Sequence, residues 1–427
     1  GWTRKDKTHA TFDPDHPSLG IILFQIFQRL MEILLAEDGL HPQKRSNMIL
    51  PMFRSPFAVA LWVVALTSPL QAMRADAFAC TQSEVSLTYV RYEFAVQKDA
   101  QGVPVMDWKR FRQAPERVVT RPRRAVILEN AYLKATLIPS MGRVHSLIHP
   151  GSGREQLWIN PVAIPLGANN DTGFWMTWGG IEHVMPSREH GTSHALKWDG
   201  HIVTDTSQEK RVRMQTVEPL TGLKHQIDYA IRPKDPFLHA HIQVSNPHPH
   251  PVRFSHWTTS TLAPGGGRQV SPRTELVVPA KAFVPDERDF NDWMPPLVGP
   301  TETSPLKWVG QWKSIGDLMA TPLLQGFYGV YAHERREGLL RVFPLDKTPG
   351  FDIWGWGYPP TEARMREFTR AIPSMGYIEL WNGNVHGFSE EALTTIAPGR
   401  TLSWTESLKV VSELELPLME SMAHHLP

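Results

Sequence analysis

The 427-residue sequence has one cysteine, Cys80. No intramolecular disulfide can form, so the fold must rest on burial and hydrogen bonding. It also lacks a surplus of either charge: 44 basic side chains stand against 43 acidic ones, for a formal net charge of +1. Nucleic-acid binding needs a basic excess gathered on one face, so the balance argues against a nucleic-acid partner. Long apolar runs are missing too. The run Phe57–Leu66 has ten residues, half of the roughly 20 that a membrane-spanning helix needs. Extended helical periodicity is scarce, whereas 37 Pro and 30 Gly point to many turns joining short strands. What the sequence has in excess is ring chemistry, with 15 Trp and 19 His. The ordinary role of a Trp is to fill a core, so any functional reading has to come from where these rings cluster.

The N-terminal portion reads as sequence outside the working domain. The chain starts Gly1-Trp2-Thr3, and residues 1–47 are expected to be an upstream or non-native extension, with apolar positions at helical spacing over residues 18–36. From Met48 the order is one positive charge at Arg54, the apolar run Phe57–Leu66, the helix breaker Pro69, and small-residue cleavage candidates at Leu70-Gln71-Ala72 and Ala77-Phe78-Ala79. That order is the pattern of a secretory signal peptide over residues 48–79. It predicts a periplasmic or secreted protein with no membrane attachment after cleavage. A lipid anchor on Cys80 is the weaker reading, because Arg74 and Asp76 lie between it and the apolar run.

From residue 80 onward, short alternating or apolar segments recur between turn signals, among them Glu84–Val96, Ala125–Leu128, Val144–His149, His225–Ile231, Leu238–Ser245, Tyr377–Trp381 and Thr401–Val411. At least a dozen such strands with no helix between them predict an all-β fold, a large antiparallel β-sandwich. We divide the chain into N-terminal strands at 80–120, the sandwich domain at 121–415 and a C-terminal tail at 416–427. Leu238–Ser245 shows the logic. Leu238, Ala240, Ile242 and Val244 share one face, while His239, His241, Gln243 and Ser245 share the other. The polar face reads as solvated rather than metal-binding, since no third ligand is fixed by the spacing.

The chemistry concentrates in Asp171–Gly200, which carries Trp175, Trp178, Trp198, the pair Gly179-Gly180, Glu182, Glu189, His183, His190 and His194. Glycines add backbone freedom and no apolar area, so this is not a core segment. Flat aromatic faces beside carboxylates and imidazoles suit a sugar, whose C–H faces stack on rings while its hydroxyls need hydrogen-bond partners. A three-histidine metal site competes, but positions 183, 190 and 194 do not follow a compact ligand spacing, and neither a metal nor another cofactor is expected. Glu379 sits in the otherwise apolar strand Tyr377–Trp381, just before the Asn382-Gly383 turn. A carboxylate there is costly unless it is paired or faces a cleft, which makes it a functional candidate.

The order of several short motifs resembles the galactose-mutarotase-like (aldose 1-epimerase) superfamily, in particular a secreted bacterial branch. The motifs are Glu129-Asn130 with Leu133, Pro139 and Gly142-Arg143; Gly179-Gly180-Ile181-Glu182 with Pro186 and His190-Gly191; Asn246-Pro247 with His256-Trp257-Thr258; Trp354-Gly355-Trp356-Gly357; and Tyr377-Ile378-Glu379-Leu380-Trp381-Asn382-Gly383. The match runs over roughly residues 120–411. The resemblance implies a large antiparallel β-sandwich with the site in the concave face of one sheet. It also implies proton transfer at a sugar's anomeric centre, an isomerase activity in which a His acts as acid on the ring oxygen and a late-strand Glu as base on the anomeric hydroxyl. By position His256 looks like the acid and Glu379 the base, and Arg143 resembles the arginine that orients sugar hydroxyls. Which of His183, His190 and His194 would be the second site histidine stays open. Glu182 has no counterpart in the epimerases, and with Glu379 it would also suit a glycoside hydrolase. Polysaccharide lyases and non-catalytic glycan-binding modules share the fold, so fold does not decide the reaction. The expected partner is a mono- or oligosaccharide, contacted by Arg143, His183, His190, His194, Trp175, Trp178, Trp257, Trp354, Trp356 and Asn382. Oligomeric state is not readable from the sequence.

Overall fold

The computed structural model describes residues 77–427 except 168–170, 187–189, 267–268, 287–291, 296–297, 372–375 and 388–391. The extension at 1–47, nearly all of the signal-peptide segment 48–79 and Glu189 lie outside the described residues. Among the described residues two large antiparallel sheets dominate, beside three two-stranded ones. The larger has eleven strands. Ten run in the order Ala79–Val90, Val118–Glu129, Lys134–Ile138, Arg143–His149, Gly180–Val184, Trp257–Leu262, Ile378–Gly383, Gly350–Gly355, Gly316–Leu323 and Ala280–Pro285. Arg154–Glu155 adds to the side of Arg143–His149. The smaller sheet has eight strands, ordered Asp199–Asp205, Lys210–Val217, Lys224–Ile231, Leu238–Ser245, Thr401–Ser412, Glu337–Val342, Phe327–Ala332 and Thr274–Val277. The all-β sandwich expected from the strand pattern is the fold observed.

Alternation drives the assembly. Along Leu238–Ser245 the burial alternates residue by residue, with Leu238, Ala240, Ile242 and Val244 fully buried. The outward His239 binds Asp235 at 2.7 Å and Ser407 at 2.9 Å, and His241 meets Thr405 at 3.1 Å. Val144, Ile181, Leu262, Leu318, Ile353, Ile378 and Leu380 of the larger sheet and Val212, Ile227, Tyr229, Leu339, Trp404 and Leu408 of the smaller belong to one apolar cluster, the core between the sheets.

The strand Ala79–Val90 pairs with Val118–Glu129 over twelve residues, so the division drawn at residues 120 and 121 falls inside one sheet. Cys80 lies in that edge strand as a free, half-buried thiol. The C-terminal segment is also packed, because the helix Leu418–Ala423 buries Leu418 and Met422 against Val277, Phe327 and Tyr331. Among the described residues no helix is long and apolar enough to cross a membrane.

The strands Gly180–Val184, Trp257–Leu262 and Gly350–Gly355, absent from the sequence-based strand list, are central in the larger sheet and buried along nearly their whole length. Their pattern is hidden because polar groups stand where a core strand would carry apolar ones. Gly180 is required for this packing. Its φ is +79°, and a Cβ there would collide with the carbonyl oxygen of Val144 on the neighbouring strand.

Candidate active site

Strand alternation sorts the chemistry onto two faces of the larger sheet. In Gly180–Val184, Ile181 and His183 point into the sandwich and Glu182 points outward. In Ile378–Gly383, Ile378 and Leu380 belong to the core and Glu379 and Trp381 face outward. The register then sets two rows across the outer face. One runs Glu182, Thr259, Trp381, Asp352; the other runs Gly180, Thr261, Glu379, Trp354, Asp317. Glu182 and Glu379 are two strands and two residues apart, which ordinary strand spacings place at about 12 Å between Cα atoms.

Arg143, at the start of Arg143–His149, pairs with the Oε2 atom of Glu182 and donates to the carbonyl of Gly179. His190 Nδ1 lies 3.0 Å from Glu182 Oε1. The imidazole of His190 stacks on Trp175 at 3.9 Å between centroids and 15° between planes, and Trp381 lies 5.2 Å from it. Burial works against ionisation of Glu182, but the Arg143 charge and the His190 hydrogen bond outweigh it and hold the carboxyl down to about 2. Glu379 goes the other way. Burial and the negative charges of Glu182 and Asp352 exceed the pull of His190 and Arg143, and its carboxyl is pushed up to about 7. Two buried carboxylates on one face are thus driven apart in acidity, the arrangement that separates acid–base roles in enzyme sites.

The other residues singled out from the sequence are placed as follows. Trp257 faces outward beside Trp381, Val184 and Val385 and is fully buried. Trp354, half-buried, and Trp356 pack with Phe368, Tyr377 and Trp158 at the end of the Glu379 row. Trp178 belongs to a separate cluster with Phe174 and Met176, edge-on to Tyr89 at 5.1 Å. His194 Nε2 is 3.1 Å from Thr172 Oγ1, and burial holds its imidazole down to about 3. Asn382 shares the inward face of its strand with Leu380 and is fully buried.

His256 does not meet Glu379. It lies one residue before Trp257–Leu262, and its ring sits 5.0 Å from His225, 5.6 Å from His183 and 5.0 Å from Trp404, on the inner side of the sheet. His183 is also inward, with Nε2 2.7 Å from the hydroxyl of Tyr229. This interior chamber continues into a fully buried ion pair, Arg341 to Glu406 at 2.6 Å, which also engages Thr258, Ser260 and Trp404, with Tyr328 donating to Ser260. The positional match that pointed to His256 after Asn246 carries no information about facing, and adjacent residues of a strand face opposite ways. Of the three histidines left open, only His190 reaches Glu182 directly.

Sequence reading missed Asp352 and Asp317, both buried on the outer face. The argument that singled out Glu379, a carboxylate in an apolar strand, applies equally to Asp352 in Phe351-Asp352-Ile353. Among the described residues no group of three His, Cys, Asp or Glu side chains is arranged to hold a metal ion.

Fold and site together define a class: a two-sheet antiparallel β-sandwich that carries an aromatic-walled carboxylate site on the outer face of its larger sheet. The chain belongs to the family described as domain of unknown function DUF5107, whose model matches residues 100–404. Its fold is similar to that of a TPR-domain containing protein from Parabacteroides distasonis, with a TM-score of 0.64 and 18% identity over 79% of this chain. The chain spans 57% of that protein's length. It is also similar to a galactose mutarotase related enzyme from Lactobacillus acidophilus (TM-score 0.48, 11% identity, 67% of this chain and 97% of that one). A galactose mutarotase-like protein from Clostridium acetobutylicum matches with TM-score 0.47 and 12% identity over 68% of this chain and 96% of that one. These likenesses are of fold alone.

Proposed function

We propose that the protein is a carbohydrate-active enzyme that moves protons at the anomeric centre of a sugar, with Glu379 as the exchanging group. The observation that carries this reading is Glu379 itself: a buried carboxyl on the outer face, poised near neutrality at about 7, beside the rings of Trp381 and Trp354. A group with that acidity can both take and return a proton at neutral pH. The surrounding rings offer stacking surfaces, and Asp352, Thr259 and Thr261 offer hydrogen-bond partners to hydroxyls. The order of sequence motifs supports the same substrate class.

Hydrolysis by a carboxylate pair is the second reading. It is disfavoured by the commitment of both Glu182 oxygens, Oε2 to Arg143 and Oε1 to His190, which leaves that carboxylate poorly available as a nucleophile or as a water-activating base. The signal-peptide pattern over 48–79 supports a periplasmic or secreted location. A panel of mono- and oligosaccharides, followed for anomer interconversion and for reducing-end release, tests the assignment. Interconversion lost in Glu379→Gln, with sugar binding retained, supports it. Release of reducing ends assigns hydrolysis instead, and binding without any turnover makes the protein a glycan-binding module.

A further inference from the structure

We propose that a recess at the end of the first strand pair is a subsite for an acidic sugar, with Arg91 and Arg117 taking its carboxylate and Phe94 and Pro115 its C–H surface. This rests on the carbohydrate reading above and adds a charged residue to the ligand. Arg91 and Arg117 line a recess of about 330 Å³ together with Phe94, Ala114 and Pro115. The bond from the Arg91 amide to the Arg117 carbonyl, 2.8 Å long, continues the pairing that ends with Val90 opposite Val118. The two side chains therefore leave one face from opposite positions. Like charges placed directly opposite repel, and among the described residues neither guanidinium has a carboxylate partner. The acids that could neutralise them are committed elsewhere. Glu93 accepts from the Tyr89 hydroxyl and the Tyr92 amide, and Glu116 is held by Arg370 at 2.9 and 3.1 Å. An anion in the recess removes the repulsion and meets two planar forks whose geometry matches a carboxylate.

The walls suit a small ring and are held in place. Arg91 lies over Phe94 at 5.7 Å, which steadies the guanidinium at the recess. Phe94 stacks on Phe111 at 6.2 Å and 15°, and Phe111 meets Trp108 edge-on at 5.5 Å. The Trp108 indole donates to the Gly173 carbonyl at 2.7 Å, which anchors the row. The volume of about 330 Å³ is at the lower end of the roughly 300–1,000 Å³ of small-molecule sites, so the recess fits one sugar residue and excludes a folded partner. Its wall is tied to the aromatic end of the Glu379 row. Arg370, the partner of Glu116, comes two residues after Phe368, which packs on Trp356 at 4.3 Å.

The test titrates the full chain by calorimetry with methyl glucuronide, methyl glucoside and acetate. The blocked anomeric centre keeps interconversion out of the measurement. The glucuronide should bind at least about 10-fold more tightly than the glucoside, which lacks the charge, and than acetate, which lacks the ring. Arg91→Gln and Arg117→Gln should each weaken glucuronide binding by about 10-fold and leave glucoside binding within about two-fold. Arg117→Lys should recover only part of the loss, because an ammonium keeps the charge without the fork. Both arginines are exposed, so the variants should keep the wild-type thermal midpoint, which separates a lost subsite from a lost fold. Equal affinity for glucuronide and glucoside overturns the proposal, as does glucuronide binding untouched by both substitutions. Acetate binding as tight as that of the glucuronide overturns it as well, since the recess would then take any carboxylate. Neither arginine belongs to the Glu379 site, so both variants should interconvert neutral sugars as the wild type does. A chain that interconverts no sugar defeats the anomeric-centre reading, while glucuronide binding still decides this one.

Discussion

Acidification from pH 7 to 5 should remove a large part of the protein's stability, because three imidazoles are held neutral inside the sandwich. His183, His225 and His256 are at most 1% exposed. Among the described residues neither ring nitrogen of His225 or His256 meets a hydrogen-bond partner. Burial, with Arg341 nearby, drives His256 down to about 3, and burial with neighbouring imidazoles drives His183 and His225 well below their ordinary 6.5. The unfolded chain protonates each of them near pH 6.5, so the stability they contribute is present above that pH and is lost as the pH falls. By linkage each costs about 2 kcal/mol between pH 7 and 5, about 6 kcal/mol together. Glu379 works in the opposite direction. Its folded acidity is raised to about 7 from an ordinary 4.5, so it holds its proton more tightly when folded and returns about 2 kcal/mol over the same range. The net loss from these four groups is about 4 kcal/mol, a large fraction of the 5–15 kcal/mol that holds a typical domain, and His194 and His145, held by burial down to about 3 and about 4, add to it in the same direction. Urea unfolding followed by tryptophan fluorescence at pH 7, 6 and 5 measures it. The slope at pH 5 should correspond to uptake of at least two protons on unfolding, and His256→Gln should reduce that by about one. Stability at pH 5 within 1 kcal/mol of its pH 7 value would refute the reasoning.

Three further outcomes are expected. Glu379→Gln should lower kcat on the substrate sugar by about 10²- to 10⁴-fold while leaving binding within a few-fold, as measured by steady-state kinetics and calorimetry. Arg341→Met removes one partner of an ion pair in which both side chains are fully buried; it should cost about 3–5 kcal/mol in urea titration, whereas replacing Arg341 and Glu406 together by apolar residues of similar volume should cost much less. Gly180→Ala should destabilise the chain and impair any activity, because its φ of +79° and the Val144 carbonyl leave no room for a methyl group; thermal unfolding and the sugar assay both read this.

Much of the architecture was legible because period-two alternation survives wherever one sheet face is apolar. Leu238–Ser245 matches its observed strand at both ends. Legibility failed at Gly180–Val184 and Trp257–Leu262, where both faces are buried and polar residues appear on each. Those strands hold the site, so the pattern is weakest where the chemistry is densest. Glu379 could be found from its cost in an apolar strand. His256 could not be separated from the site by spacing, since facing is set by pleat and register, and the strand that follows it was not itself visible. The role of Glu182 required knowing that Arg143, 39 residues earlier, lies against it.

The alternation that turns Glu182 outward turns its neighbour His183 inward, and Thr258 and Thr259 are divided in the same way. One stretch of backbone is therefore shared by the outer-face carboxylate cluster and the inner imidazole cluster, with no spacer between them. Substitutions deep in the smaller sheet, at Tyr229 or Glu406, should shift the strands that hold Glu182 and Thr259 without touching either side chain. Random mutagenesis scored on the integrity of the outer-face carboxylate cluster ought then to return hits scattered through the opposite sheet, so that this face is constrained from behind as much as from the front.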